Sequence, residues 1–589
     1  MAQTQGGLPV IERIVVTADF EELPTDEVGS SVTTIEHAEI ERRGYRTVYE
    51  LLRTVPGVEV TRGGGPGKVT SVRIRGGDAS QTLVLIDGVR VNDATTGDFD
   101  FADLLTDNVE RVEVVRGPQA IWGSEAVSGV IAITTRRGEA GRHFGGAVEI
   151  GSDVLRYARF DASGGGESAD YSVSVGRFAT DGVSHNSERA GNTEVDPYEN
   201  TTVVSRVGVE LGEDGRLDLV GRYVVGENEL DGFLDDDPNA QATREAVTFS
   251  ATWRQQVTAR ITQTVLLAGS DTNLLGEDPD SPFNNYDIDA RTVRFESRSS
   301  FRASDAATLT GGLSAERREG VNAGSFDEDA DLRAGFLHAR WALRGRYFLS
   351  AATRLDDHST FGSEVTWRGT GSFAFPASRT RLHASAGTAF RAPDFNELFF
   401  PFAGNTRLRP ETSEGFDLGV EQSWLDEKLV VDATWFRHEH DDLIDFDLET
   451  FTFRNIARAI SEGLELELRA RPAERLELLL GHTWNDTEDR DSGLPLPRRP
   501  EHRSYLVASV QASERIHGAL SMLAVRDRVD STGLAMDDYE RVDLAFDYRA
   551  HPRLRPYLRL ENLFDEDYEE VTGFTTPGFT AAVGLSIRR

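Results

Sequence analysis

Two acidic clusters are the first places where this sequence could do chemistry. Asp181, Glu194, Asp196 and Glu199 form one, and Asp231, Asp235, Asp236 and Asp237 form the next. Carboxylates from separate loops are the hard oxygen ligands that Ca2+ requires. Asp181, Glu194, Asp196, Asp231, Asp235 and Asp236 are therefore the candidate calcium ligands. No strict calcium-loop motif accompanies them, and a solvated acidic rim would have the same composition, so both readings stand. His438-Glu439-His440, expected in an outer loop, offers donors for a transition metal, although three ligands from one loop do not make a site by themselves. The stretch Gly63-Gly64-Gly65-Pro66-Gly67-Lys68 has the glycines of a phosphate loop, but Val69 follows Lys68 where Ser or Thr is needed. Cysteine is absent, which excludes disulfides, thiolate metal sites and a thiol nucleophile. With no nucleophile elbow or zinc helix either, an enzyme is not expected.

The 589 residues carry 63 Lys+Arg against 99 Asp+Glu, a formal net charge of -36. That balance argues against nucleic-acid binding, where Lys and Arg neutralise phosphates, and favours cationic partners. Mean hydropathy is -0.39 and no long apolar run exists, so helical membrane spans are not expected. A barrel strand, however, crosses a bilayer with only about 9 to 11 alternating residues. Met1-Ala2-Gln3-Thr4-Gln5 leads straight into polar sequence. Either the chain stays in the cytoplasm or a signal segment was removed.

Two regimes divide the chain near Arg137. In the first, Ile40, Tyr45, Val48, Leu51 and Leu52 recur at helical spacing before the stop Val55-Pro56-Gly57. Strand-like runs follow at 69–74, 82–86, 109–115 and 130–134. In the second regime apolar and charged residues alternate with period two. Val542, Leu544, Phe546 and Tyr548 interleave with Arg541, Asp543 and Asp547, and Leu464, Leu466 and Leu468 with Glu465 and Glu467. About 22 such strands can be found, an even number that suits a closed antiparallel barrel without edges. Connectors after odd strands read as long (181–199, 229–243, 271–289, 391–414, 437–451, 485–501) and those after even strands as short (212–215, 472–474, 550–552). That parity is the asymmetry of an outer-membrane barrel, whose charged face lines the lumen. The expected fold is thus all-β membrane, a 22-stranded antiparallel transmembrane barrel occluded by an N-terminal α+β plug, because a lumen of that width needs one. The divisions are a periplasmic segment over 1–29, a plug over 30–138 and a barrel over 139–589.

The motifs resemble those of the TonB-dependent outer-membrane transporters across the whole chain. Ile14-Val15-Val16-Thr17-Ala18 resembles the TonB box, which pairs with TonB by strand addition. Leu51-Leu52-Arg53-Thr54-Val55-Pro56-Gly57-Val58, Val72-Arg73-Ile74-Arg75-Gly76, Leu83-Val84-Leu85-Ile86-Asp87-Gly88-Val89 and Val112-Glu113-Val114-Val115-Arg116-Gly117-Pro118 resemble the plug signature in order and spacing. Phe390-Arg391-Ala392-Pro393 with Asn396-Glu397-Leu398 and Leu408-Arg409-Pro410-Glu411, and Asn562-Leu563-Phe564-Asp565 with Tyr568, resemble the family's barrel motifs. One departure is the end, Ile587-Arg588-Arg589, where such barrels usually carry an aromatic residue.

The resemblance implies energised import across a Gram-negative outer membrane, with the signal segment already removed. It implies as partners TonB, with its proton-driven inner-membrane complex, outer-membrane lipid and lipopolysaccharide, and a bacteriophage or bacteriocin using the barrel as receptor; the barrel is expected to be a monomer. Arg75, Asp87, Arg111, Glu113 and Arg116 would form a plug charge network paired with lumen carboxylates, keeping the plug hydrated and extractable. Within the family the nearest branch is the cobalamin (vitamin B12) receptors, through Ile74-Arg75-Gly76-Gly77-Asp78-Ala79-Ser80 and Leu85-Ile86-Asp87-Gly88-Val89-Arg90-Val91-Asn92. That branch implies a corrinoid ligand, met by plug apices at Gly64, Gly65 and Pro66 and at Asn92, Asp93, Ala94, Thr95 and Thr96, and acidic loops ordered by calcium. A ferric siderophore or other metal chelate is the alternative ligand, and a passive porin or adhesin barrel the alternative of a different class.

Overall fold

The computed structural model describes residues 14–15, 20–21 and 23–589, apart from 188, 190, 233–235, 283–284, 448–449 and 457. Twenty-two strands, from Gly141–Gly151 to Thr580–Arg588, form one closed antiparallel barrel, each paired with its chain neighbour. Closure joins the last strand to the first, from Gly145 opposite Arg588 to Gly151 opposite Ala582. Period-two sequence sets which residues face the lumen. Along Glu411–Trp424, Glu411, Ser413 and Asp417 are buried inside, whereas Phe416, Leu418 and Val420 stay exposed on the outer wall. An apolar outer surface on a protein this charged fits a wall wetted by lipid.

The wall has the 22 strands read from the sequence, with three corrections to the connectors. Connectors 152–155, 323–325 and 359–361 follow odd strands yet are short, so the long-loop rim is uneven. Thr452–Asn455 pairs with Ile444–Asp447 in a hairpin of its own, and the wall strand begins only at Arg458. The histidine stretch 438–440 belongs to the wall strand Leu429–Asp441 and to no loop.

Inside the barrel lies a five-stranded sheet in the order Val32–Glu36, Val109–Arg116, Gly129–Thr135, Thr82–Ile86, Val89–Arg90. The one parallel pair is Thr82–Ile86 with Gly129–Thr135. A separate hairpin, Val58–Arg62 with Thr70–Ile74, carries the first apex. The helical run of the sequence is two short helices, His37–Arg43 and Val48–Leu52. Gly44 stops the first at φ +72, the left-handed conformation that only glycine adopts without cost. Leu51, Leu52, Val58, Val72, Val112 and Ile131 close an apolar core between helices and sheet, which Leu266 and Ala268 of the wall strand Ile261–Glu277 also join.

Candidate functional site

Charged side chains also join the plug to the wall. The densest cluster joins the plug to the strands Glu411–Trp424 and Arg458–Ala473. Arg75 sets Nε and Nη2 2.8 and 3.0 Å from the two oxygens of Glu465, and Nη1 3.3 Å from Asp417 Oδ2. Its guanidinium lies 4.7 Å from the centroid of the Phe436 ring. Burial opposes the charge, but Glu465 and then Asp417 more than offset it and hold Arg75 protonated. Arg116 Nε is 3.3 Å from the same Glu465 carboxylate, and Arg116 also donates to Thr33 Oγ1 and the Pro56 carbonyl. Asp417 further accepts from Ser31 and Ser385.

Asp87 is bound through Thr135, whose N and Oγ1 donate at 3.0 and 2.7 Å, and through Arg206 of the wall at 3.1 Å. Arg111 and Glu113 instead pair with each other along one strand, 2.7 Å apart. The network inferred from sequence therefore splits into a wall-facing set, Arg75, Asp87 and Arg116, and an internal pair. Composition could not reveal the other contacts: Arg53 with Glu570, Arg503 with Glu59, Arg318 with Glu125 and Arg244 with Asp100. Each such charge is worth little unless matched and is expensive if stranded.

At the long-loop rim the first apex is roofed over. A Cβ on Gly64 or Gly65 would meet His185 or Val183 of loop 181–197, and Pro66 borders the cavity beside them. Lys68, almost fully buried, donates its ammonium to the Glu229 carbonyl, and burial pulls its pKa down to about 8 against the pull of Asp196 and Asp231. In the second apex Asn92 is structural: its side chain accepts from Val84 N and donates to the carbonyls of Thr82 and Gly97. Asp93 accepts from Thr95 N, Ala94 packs with Phe395, and of these residues only Thr96 is exposed. Sequence reading missed Val69 at the first apex and Phe402 in loop 392–410, apolar groups open to solvent at this rim. Arg391, completely buried, ties that loop down by binding Glu397 and Glu411, the latter also reached by Gln81 of the plug.

Of the candidate calcium ligands, Glu194, Asp231 and Asp236 present oxygens that all lie within 4.8 Å of one another. Among the described residues Glu194 Oε2 is buried without a hydrogen-bond donor, which fits a cation ligand. Asp196 turns away to accept from His185 N at 2.5 Å, Asp181 is exposed apart from them, and Asp235 lies outside the described residues. The histidine set does not converge: alternation buries His438 and His440 in the lumen and sends Glu439 to the other face, beside Arg437. At the N-terminus Ile14–Val15 pairs antiparallel with Leu23–Pro24; residues 16–18 lie outside the described residues.

Two family models match, the TonB-dependent receptor plug domain over residues 24–130 and the TonB-dependent receptor-like β-barrel over 144–563. The chain belongs to the TonB-dependent receptors. It is 29% identical over 576 residues to the vitamin B12 transporter BtuB of Vibrio vulnificus, covering 95% of this chain and 91% of that one. A vitamin B12 transporter BtuB of Photobacterium profundum is 27% identical, covering 94% and 92%. Among solved structures, a mutant of the ferric enterobactin receptor PfeA of Pseudomonas aeruginosa superposes with TM-score 0.82 at 20% identity, covering 98% and 100%. The siderophore receptor PirA of the same organism gives 0.77 at 20%, covering 95% and 99%; at such identity the likeness is one of fold. This receptor is accordingly an outer-membrane transporter of the TonB-dependent type, and its family is one of transporters. Its long-loop rim faces outward and its short-turn rim faces the periplasm.

Proposed function

We propose that this receptor imports cobalamin or a related corrinoid, with Ca2+ ordering the outer loops over the ligand. The observation that carries the reading is similarity to vitamin B12 transporters over 94–95% of the chain. The carboxylates of Glu194, Asp231 and Asp236, drawn from two different outer loops, support the calcium part: neutralising them would hold loops 181–197 and 231–239 together above the first apex. The exposed Val69 and Thr96 of the plug and Phe402 of the outer loop would then meet the ligand. TonB would take hold of the N-terminal segment by strand addition, competing with the pairing of Ile14–Val15 to Leu23–Pro24. Uptake of labelled cyanocobalamin by cells expressing the intact chain or a chain lacking residues 11–18 tests this. The reading expects binding by both and accumulation only by the intact chain; accumulation without residues 11–18 would contradict it.

A further inference from the structure

The plug is not held equally all round. Toward the strands Glu411–Trp424 and Arg458–Ala473 it is bound by the Arg75–Glu465 fork. Toward the seam where the barrel closes, three cavities lie in series. The outer one is lined by Pro66 and Gly67 of the apex and by Asp153 and Val183 of the outer loops. The middle one reaches Gly44 and Tyr45 of the plug and Phe546 of the wall. The lowest opens among His143, Pro552 and Arg588 at the periplasmic rim. The first two share Arg46 and Arg559, and the second and third share Glu41, Arg159, Arg555 and Ser586. The wall is also low here: its last strands, Leu554–Glu561 and Thr580–Arg588, are far shorter than Ala240–Thr258 on another side.

We propose that this seam is the transport path, and that Arg46 is the gate at its waist. Arg46 sits between the two short helices, just after Gly44. Its guanidinium pairs with Glu149 of the first wall strand, lies 3.9 Å from Glu561, and is 5.2 Å from the centroid of the Phe178 ring. Arg559 approaches the same Glu149 at 3.8 Å. Unlike the Arg75 fork, this cluster is incompletely satisfied: Tyr557 also hydrogen-bonds Glu149, but Arg46 Nε and Arg559 Nη1 are buried without hydrogen-bond partners among the described residues. Opening it costs less than breaking a bidentate pair, and a swing of one side chain would join the outer and middle cavities while the plug core stayed in place. Below the waist Arg159, Arg555 and Arg559, with Arg136, Arg553 and Arg588 at the rim, outnumber the lining carboxylates Glu41, Asp107, Glu139, Asp161 and Asp547 and leave the lining a cationic excess in a protein of net charge -36. The path therefore suits a solute carrying an anionic group, such as a phosphodiester or carboxylate, and does not depend on which chelate is imported.

Electrical recording of the purified full-length receptor in planar bilayers, without TonB, tests the gate. Arg46→Ala should raise conductance by roughly fivefold or more, with a reversal potential showing preference for anions, as a cationic lining dictates. Arg46→Lys, which keeps the charge, should stay close to the parent. Arg340→Ala removes an ion pair of the same kind elsewhere on the barrel, between Arg340 of the wall strand Phe326–Leu343 and Glu27 at the start of the plug, and should remain closed. If Arg46→Ala does not assemble, Glu149→Gln breaks the same pair from the wall side and the same readings apply. A closed Arg46→Ala, a cation-selective leak, or an equal leak in Arg340→Ala would each overturn the proposal.

Discussion

Arg75 of the plug and Glu465 of the wall meet fork to fork, although 390 residues separate them in the chain. A planar guanidinium matches a carboxylate in this way and an ammonium does not. Glu465→Ala leaves both Arg75 and Arg116 without their shared anion, which for buried pairs costs about 3–5 kcal/mol. Urea denaturation, with protease accessibility of the plug as readout, should show that loss, with Arg75→Lys intermediate between parent and Glu465→Ala.

Gly57 makes the approach of Glu465 possible. Its φ is +69, and a Cβ there would stand 2.1 Å from Glu465 Oε1. Gly57→Ala should therefore be destabilising on two counts, the left-handed backbone costing about 1–2 kcal/mol and the overlap adding to it. Combining it with Glu465→Ala should relieve only the overlap, so the two losses measured in urea should sum to more than the double variant shows.

A pH effect is expected from Asp98 in the second apex. Burial pushes its carboxyl up to about 6, against a hydrogen bond from Thr96 and with help from Asp100 and Asp93. A folded value above the ordinary 3.8 means the folded chain keeps a proton that the unfolded chain has released. The stabilising contribution is thus fully present below pH 4, falls as pH rises to about 6, and is level above that. Asp98→Asn should flatten this part of the stability–pH curve, as thermal denaturation at pH 4 to 8 would show.

Lys68 is a cation already seated beside Asp196 and Asp231. Removing it with Lys68→Met should strengthen calcium binding by roughly tenfold, about 1.4 kcal/mol, as measured by titration calorimetry. Unchanged affinity would mean that the ion and the ammonium do not share a site.

What the sequence made legible follows from its periodicities. Leu464, Glu465, Leu466 and Glu467 alternate so regularly that wall, lumen and strand number can be read directly, and Val55-Pro56-Gly57 marks the end of the helical stretch. Partners across the lumen could not be read, because Glu465, Asp417 and Glu570 look like any inward carboxylate until the barrel closes around Arg75 and Arg53. Asn92 reads as a ligand contact because an exposed turn and a side chain turned back to cap Val84 and Gly97 have the same sequence. His438 and His440 read as loop residues because nothing in the sequence marks that the strand runs on to Asp441, where alternation puts both in the lumen and Glu439 on the other face. Arg46, one arginine among many between two helices, carried no signal at all.

The substrate is the claim on which most depends, and equilibrium binding of cyanocobalamin to the purified receptor, with calcium and with chelator, tests it most directly. The account predicts a Kd well below about 1 µM with calcium, more favourable than about -8 kcal/mol, and clear weakening when calcium is removed or Asp231 is changed to Ala. Binding no tighter than micromolar in both conditions, alongside tight binding of a ferric chelate, would contradict it.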